Sequence, residues 1–177
     1  GGVRVEMMCG RWAYLYMTQI YRQNHEISTL LSSRMPETAA AVKRLLDDEA
    51  QLKTRMIGMQ YQMIERRAEE LKGCGPVLIF EDDLTPVLVQ KLTARVMEKA
   101  EGPVFSFSGN DEEGYKYAVG MEGGDLKELV RDMNAQLSGR GGGKPFFLQG
   151  SVKASGERIE TYLSDRLPGL KVVRQPA

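Results

Sequence analysis

The segment LSGRGGGKPFFLQG, residues 137–150, has four glycines among its first seven residues, beside an Arg and a Lys. Nucleotide-binding loops cluster glycines in this way, because glycine lets backbone N–H groups approach a phosphate closely. The Walker spacing fails here: three residues instead of four separate Gly139 from Gly143, and Pro145 follows Lys144 where Ser or Thr is required. The dinucleotide fingerprint fails as well, since its third glycine falls on Lys144 and the segment follows a predicted helix.

The glycines still predict an anion site of a more general kind. Successive glycines with positive φ can direct their N–H groups at one point, which makes a concave nest for an anion. Arg140 and Lys144 flank this segment, so the predicted guest is a phosphate of a polynucleotide backbone. The alternative is a flexible connection between a helix and a strand, in which the glycines serve only as caps.

Other groups that could do chemistry are few. His25 is the only histidine, so no zinc site can be assembled without a second histidine or a paired cysteine. Asp82 and Asp83 could form a carboxylate pair, but acidic residues between a strand and a loop are predicted to be solvated. We therefore predict no catalytic residue and no metal ligand in this chain. Two aromatic pairs at period 2 are predicted to pack in a core more readily than to stack on bases: Phe105 with Phe107, and Tyr115 with Tyr117.

Charge and cysteine content bound the class of protein. The 24 basic and 24 acidic residues balance, yet residues 138–177 carry seven basic and three acidic residues, whereas residues 76–137 carry six and twelve. The glycine segment therefore lies in the basic part of the chain. Cys9 and Cys74 are far apart, which predicts buried, reduced thiols and a cytoplasmic protein. No apolar run approaches the ~20 residues of a membrane span, so no membrane partner is expected.

Residues 10–73 have helical periodicity. Apolar residues spaced by three and four predict a helix from Arg11 to Ser33, and Pro36 begins a second helix that extends to Leu71. We predict that the two form a long antiparallel hairpin. The second helix carries an apolar seam of the coiled-coil type, which predicts a helix interface. The seam includes Leu45, Leu52, Met56, Met59 and Met63.

Residues 76–177 alternate between strand and helix patterns, which predicts a mixed-sheet domain. Strands are predicted at 77–80, 104–108, 115–121, 146–152 and 170–173. Helices are predicted to follow the capping residues Thr85, Asp125 and Ser155 and to end near 100, 137 and 167. The predicted fold class is α/β: a long antiparallel helical hairpin followed by a mixed-sheet α/β domain with a glycine-rich loop.

Two stretches together resemble a known family. GGVRVEMMCG, at residues 1–10, resembles the Gly-x-Arg-x-Glu segment that closes the editing domain of alanyl-tRNA synthetases and of free-standing alanyl-tRNA editing proteins. GRGGGKPFFLQG, at residues 139–150, resembles the Gly-rich, Pro, Gln-Gly signature of the DHH-associated domain, which follows that editing domain in the same proteins. The order of strand, helical hairpin and glycine-containing domain agrees with this family.

The resemblance implies three regions. Residues 1–9 would be the terminal strand of an editing domain missing from this chain, residues 10–73 a dimerisation arm, and residues 76–177 the DHH-associated domain. In the family, a zinc-dependent editing domain with His-x-x-x-His and Cys-x-x-x-His motifs removes mischarged Ser or Gly from tRNA(Ala). Cys9 has no histidine four residues on. We therefore expect the zinc and the hydrolysis upstream of Gly1, and neither a cofactor nor hydrolase activity in this chain.

The resemblance also implies partners: tRNA, in particular tRNA(Ala), at the glycine segment, and a second copy of the chain at the seam of the long helix. Lys144 stands where related DHH phosphoesterases carry a histidine, which disfavours a phosphodiesterase. The alternative function is an assembly module, a homodimer in which the glycine loop is purely structural. The predicted nucleic-acid contacts are Gly139, Arg140, Gly141, Gly142, Gly143, Lys144, Pro145, Gln149 and Gly150.

Overall fold

The computed structural model of the chain describes residues 2–82 and 84–174, which fall into two compact units, Gly1–Gly58 and Met59–Ala177. The helices are α1 Gly10–Leu30, α2 Thr38–Glu70, α3 Pro86–Met97, α4 Lys127–Gln136 and α5 Gly156–Arg166. The strands are β1 Val77–Glu81, β2 Val104–Asn110, β3 Gly114–Gly120, β4 Arg140–Lys144, β5 Phe147–Val152 and β6 Lys171–Arg174. No helix within these described residues has an apolar stretch long enough to cross a membrane.

The first unit contains α1 and the larger part of α2. A 3₁₀ turn at Met35–Glu37, which contains Pro36, leads directly into α2. Asn24 of α1 holds this turn: its side-chain nitrogen donates to the Met35 carbonyl at 3.2 Å, and its side-chain oxygen accepts from the Thr38 hydroxyl at 2.8 Å. Both helices were indicated by the periodicity, and the structure joins them through a hydrogen-bonded turn.

Residues 2–9 have no regular secondary structure. The pattern at Val3–Met7 predicted a terminal strand, but a strand forms only where a second strand offers main-chain partners. None of the strands in the described part of the chain pairs with this segment. Cys9, predicted to be buried, is exposed.

The second unit is built on a sheet of six strands within the described residues, in the order β4-β5-β3-β2-β1-β6. Strand β1 is parallel to β2 and to β6, whereas the β2–β3, β3–β5 and β4–β5 pairs are antiparallel. A helical crossover between β1 and β2 produces the parallel pair, and short hairpins join β2 to β3 and β4 to β5. The predicted α/β fold class with a mixed sheet is confirmed.

Both faces of the central strands are covered by helices, which explains why β1 is buried at every residue. Helices α4 and α5 cover one face, and α3 with the end of α2 covers the other. The aromatic residues of β2 and β3 lie in the first of these cores, so the predicted core packing is confirmed. They are Phe105, Phe107, Tyr115 and Tyr117.

The end of α2 belongs to the α/β unit because it packs on α3. Ile64 and Ala68 of α2, and Leu71 just after it, are buried in the second core. Three polar contacts at the surface add to this apolar one. The cations lie four residues apart, on α3 and just after it, and their partners on α2 are also four residues apart. Arg95 contacts Glu65 at 2.6 Å, and the other two pairs are Lys99 with Glu69 and Lys91 with Tyr61. The matched spacing of four keeps the two helices in register.

Glu81 ends β1 beneath α2 and is only 2% exposed. Its Oε1 accepts a hydrogen bond from Arg67 Nη2 at 3.3 Å, while its Oε2 has no hydrogen-bond partner among the described residues. Burial raises the pKa of the Glu81 carboxyl, and the charge of Arg67 opposes this shift without cancelling it. The folded chain therefore holds a proton at Glu81 more readily than the unfolded chain.

The raised pKa of Glu81 predicts that the free energy of unfolding depends on pH. The contribution of Glu81 to folding is fully present below its unfolded pKa and is lost as pH rises through the folded one. Glu81→Gln does not titrate, so the unfolding free energy of wild type relative to this variant should fall as pH rises above the ordinary pKa of a glutamate, about 4.3. Urea unfolding at a series of pH values measures the difference. Arg67→Met should make the fall steeper, and a difference that stays flat or rises contradicts the assignment.

Candidate functional site

The glycine segment is a β-strand, and the predicted anion nest is wrong. Strand β4 lies at the edge of the sheet, antiparallel to β5, with Pro145 and Phe146 as the two-residue connection. Main-chain groups that bond to β5 cannot also converge on one anion. Among the glycines from 139 to 143, only Gly143 has a positive φ, at +154°. The pairing with β5 has therefore straightened a segment that the sequence predicted to curl.

The alternative interpretation was that the glycines serve only as caps. At the end of α4, however, the residue in the capping conformation is not a glycine. Ser138, with φ of 52°, takes the left-handed conformation that glycine often supplies there. Gly139 follows it, and its N–H donates to the Asn134 carbonyl at 2.7 Å. A Cβ at Gly139 would lie 2.5 Å from Asn134 Oδ1 and 2.6 Å from Val152 Cγ1. Gly139 is thus required for close packing.

Gly141 and Gly150 make room for Tyr117. The three residues share one face of the sheet, and a Cβ on Gly150 would lie 2.7 Å from the Tyr117 ring at Cζ. A Cβ on Gly141 would collide with the Tyr117 hydroxyl and with the Gln149 carbonyl oxygen. The hydroxyl donates to Asn134 Oδ1 of α4 at 2.9 Å. Burial raises the pKa of Tyr117, which keeps this hydroxyl protonated as a donor.

Gly142 has no such steric reason. It is exposed, and a Cβ built on it meets nothing within 4 Å. Its neighbours Arg140 and Lys144 point to the same side, because side chains alternate along a strand. This side is opposite to the Tyr117 side. The edge strand therefore presents two long cations with a bare stretch of main chain between them.

The neighbouring strands extend this surface. Arg140 lies opposite Ser151, which in turn lies opposite Lys116 of β3. Gly142 lies opposite Gln149. We call the resulting surface the open sheet face, defined by Lys116, Arg140, Gly142, Lys144, Gln149 and Ser151. Four of these positions were predicted contacts; Lys116 and Ser151 were not. The alternation of Lys116 with Tyr115 and Tyr117 indicated that Lys116 faces solvent. Which strand lies beside it follows only from the sheet order.

The edge of β4 adds main-chain donors to this surface. An edge strand leaves alternate N–H groups without a strand partner, and these recur roughly every 6.6 Å. Arg140 and Lys144, four residues apart, are about 13 Å apart along the strand. All five residues of β4 are exposed. The edge of a sheet, like a nest, can offer main-chain donors to an anion.

The hairpin turn fixes one end of β4. The Pro145 carbonyl accepts from the Leu126 N–H at 2.8 Å, and the Phe146 carbonyl accepts from the Met121 N–H at 3.0 Å. Lys144 Nζ lies 5.8 Å from the centre of the Phe146 ring, which is itself exposed. The turn is thus bound to the loop before α4, and Pro145 contributes structure through its carbonyl.

A shallow pocket of about 290 Å³ lies beside the open sheet face. The first turns of α3 form one wall with Pro86, Val89 and Gln90. Strands β3 and β5 form the floor, from which the side chains of Lys116 and Gln149 rise. Gln90 was not among the predicted site residues, since no sequence signal places the start of α3 against β5.

The remaining candidates do not gather into a site. Asp82 is exposed, and Asp83 lies outside the described residues. His25 is exposed on α1 and stacks on Tyr21, with ring centres 6.3 Å apart. Within residues 2–82 and 84–174, no three His, Cys, Asp or Glu side chains are grouped so as to hold a metal ion.

Fold and site together define a mixed-sheet α/β domain with a glycine-rich edge strand. The sequence model of the DHHA1 domain matches residues 73–165, more than half of the 177 residues, and the chain belongs to this family. The matched region contains the whole glycine strand and its hairpin. None of the curated proteins matches the chain.

Solved structures with similar folds include the C-Ala domain of Aquifex aeolicus alanyl-tRNA synthetase, at 21% identity and a TM-score of 0.45. The match covers 54% of this chain and 91% of that one. RecJ from Thermus thermophilus, in complex with Mg²⁺, is 19% identical with a TM-score of 0.48, and the match covers 84% of this chain and 24% of that one. An exonuclease RecJ bound to manganese is 17% identical with a TM-score of 0.49, covering 76% and 35% respectively.

The two kinds of glycine on β4 predict different effects of an added methyl group. Gly141→Ala should lower the free energy of unfolding by about 2 kcal/mol or more, because its Cβ overlaps main-chain and Tyr117 atoms. Gly142→Ala is the matched control and should stay within about 1 kcal/mol of wild type. Urea unfolding followed by circular dichroism measures both. Equal losses in the two variants would contradict the described packing of β4 on Tyr117.

Proposed function

We propose that the second unit binds a nucleic acid, with the phosphate backbone lying along the exposed side of β4. The observation that supports this most directly is the combination of a bare glycine main chain at Gly142 with Arg140 and Lys144 on either side. Main-chain N–H groups bind phosphate oxygens without regard to sequence, and flanking cations add attraction at longer range. The sequence predicted a nest that holds one phosphate. We propose instead that several successive phosphates lie along the strand.

The distribution of ion pairs supports the same surface. The cations on α3 and just after it face acidic or hydroxyl partners on α2, as at Arg95 with Glu65. By contrast, none of the ion pairs within the described residues involves Lys116, Arg140 or Lys144. Unpaired cations on one exposed face attract an anionic polymer, because their field is not cancelled locally.

We further propose that the ligand is tRNA, in particular tRNA(Ala), and that the chain is a region of an alanyl-tRNA editing protein. The support is the resemblance of residues 1–10 and 139–150 to that family, together with the DHHA1 assignment. Hydrolysis of mischarged tRNA would then belong to a zinc domain outside this sequence. We also propose a cytoplasmic location, since the two cysteines are unpaired, as is usual in a reducing compartment.

Charge reversal on the open sheet face should weaken binding of tRNA. Arg140→Glu or Lys144→Glu removes a phosphate contact and adds repulsion, so the affinity at about 100 mM salt should fall roughly tenfold. The slope of log K against log salt should decrease by about one for each variant. Fluorescence anisotropy with labelled tRNA at several salt concentrations measures both quantities.

Arg131→Glu is the control for this experiment. Arg131 is exposed on α4, which covers the opposite face of the sheet, and the substitution changes the charge by the same amount. Its affinity and salt slope should match those of wild type. If Arg131→Glu weakens binding as much as Arg140→Glu, or if wild type does not bind tRNA, the proposed interface is wrong.

A second function, self-association, is favoured by the exposed seam of α2. Leu45, Leu52, Met56 and Met59 are all exposed, with Leu52 at 63% and Met59 at 70%. Their spacing of seven, four and three residues places them on one side of the helix, and Met63 continues the row. Apolar rows of this length on one helix usually pack against a second helix. We propose that the partner is the same helix of a second copy.

Charges placed on the seam should reduce self-association. Leu52→Glu combined with Met56→Glu places two carboxylates where the proposed interface excludes water, so the dimer should dissociate to monomer at micromolar concentration. Sedimentation equilibrium measures the change. Thr54→Glu, on the opposite side of α2, should leave the association unchanged. A wild-type chain that is monomeric at all concentrations tested would exclude this function.

A further inference from the structure

The pocket between α3 and the open sheet face has the composition of a site for a flat, partly polar molecule. The exposed Pro86 and the buried Val89 line its apolar side, and Gln90, Lys116 and Gln149 provide polar groups from separate elements. A few convergent polar groups in an otherwise apolar concavity are typical of small-molecule sites. At about 290 Å³ the pocket lies at the lower limit for such sites, which leaves room for one ring system.

The two glutamine amides are available to a ligand. Gln149 is exposed and Gln90 is partly exposed. The buried side-chain hydrogen bonds near this wall involve Thr93, whose hydroxyl donates to the Val89 carbonyl at 2.9 Å. No side-chain hydrogen bond of the described residues around the pocket uses either amide. Each amide offers a donor and an acceptor side by side, the arrangement that pairs with the edge of a nucleobase.

The position of the pocket relates it to the phosphate path. Gln149 lies opposite Gly142 on the neighbouring strand, so the pocket opens beside the bare main chain of β4. Because Gly142 has no side chain, nothing at that position separates the strand edge from Gln149. Lys116 lines the pocket and also belongs to the open sheet face. A chain whose phosphates follow β4 can therefore turn a base inward across Gly142.

We propose that this pocket binds one unpaired nucleobase, with hydrogen bonds from the amides of Gln90 and Gln149, and that the ligand is a single-stranded segment of nucleic acid. The inference rests on the proposed function, since it uses the same path for the phosphates. In a duplex the pairing edges of the bases are already occupied, so only loops and free ends satisfy the pocket. In a folded RNA this directs the domain to unpaired nucleotides.

Two probes with equal numbers of phosphates test the proposal. One is a labelled decamer of adenylate, and the other is a decamer with the same backbone that carries abasic sites throughout. Wild type should bind the adenylate decamer about tenfold more tightly than the abasic one, the effect of one good amide–base pair. Gln90→Ala and Gln149→Ala should each reduce this ratio to about threefold or less. Gln90 lies outside the open sheet face, so Gln90→Ala should also leave the abasic affinity and its salt slope unchanged.

Gln62→Ala, at an exposed position on α2, is the control and should keep the wild-type ratio. Equal binding of the two probes by wild type overturns the base pocket but leaves the backbone interface intact. If both Gln90→Ala and Gln149→Ala keep the wild-type ratio of adenylate to abasic affinity, the base pocket is also overturned. If neither probe binds at all, the proposed function itself fails, and the base pocket fails with it.

Discussion

The phenol ring of Tyr117 lies against the main chain of Gly141 and Gly150, and its hydroxyl donates to Asn134 of α4. This contact decides how the edge of the sheet is built. A strand with side chains on that face could not lie flat over the ring, since a Cβ at either glycine overlaps atoms of Tyr117 or of the neighbouring backbone. Gly141 and Gly150 are therefore needed where β4 and β5 pass the ring, and Gly143 is needed as well, because a Cβ there would overlap the Phe147 carbonyl oxygen. The orientation of the other residues on β4 follows from that pairing.

The same pairing separates the glycine segment into structural and accessible positions. Gly139, Gly141, Gly143 and Gly150 are enclosed by neighbouring atoms, whereas a Cβ on Gly142 would meet nothing within 4 Å. The interpretation of the segment as purely structural thus explains most of its glycines but not Gly142. A bare residue between two cations, on an edge that leaves main-chain donors unpaired, is the feature that a backbone-binding function uses.

Electrostatics distinguish the α2–α3 contact from the open sheet face in a comparable way. Along α3, cations are held by α2 through contacts such as Arg95 with Glu65, so they fix helix packing. Beneath them, Glu81 is buried with only partial compensation from Arg67, which shows how strongly the end of α2 is enclosed. The cations of the open sheet face form no ion pair within the described residues. Their charge remains available to a ligand from solution.

Local patterns were sufficient for most of the fold. Hydrophobic periodicity, Pro36 in the turn before α2 and the capping residue Ser155 indicated the helices, and period-2 alternation indicated the hairpin of β2 and β3, because these signals act between residues close in sequence. They also placed the cations and glycines in one segment. What that segment becomes depended on tertiary structure: glycine has little conformational preference of its own, so the ladder offered by β5 and the space taken by Tyr117 decided that it is a strand. The meeting of Gln90, Lys116 and Gln149 was likewise decided by the sheet order, since strand pairing joins residues that no local spacing relates.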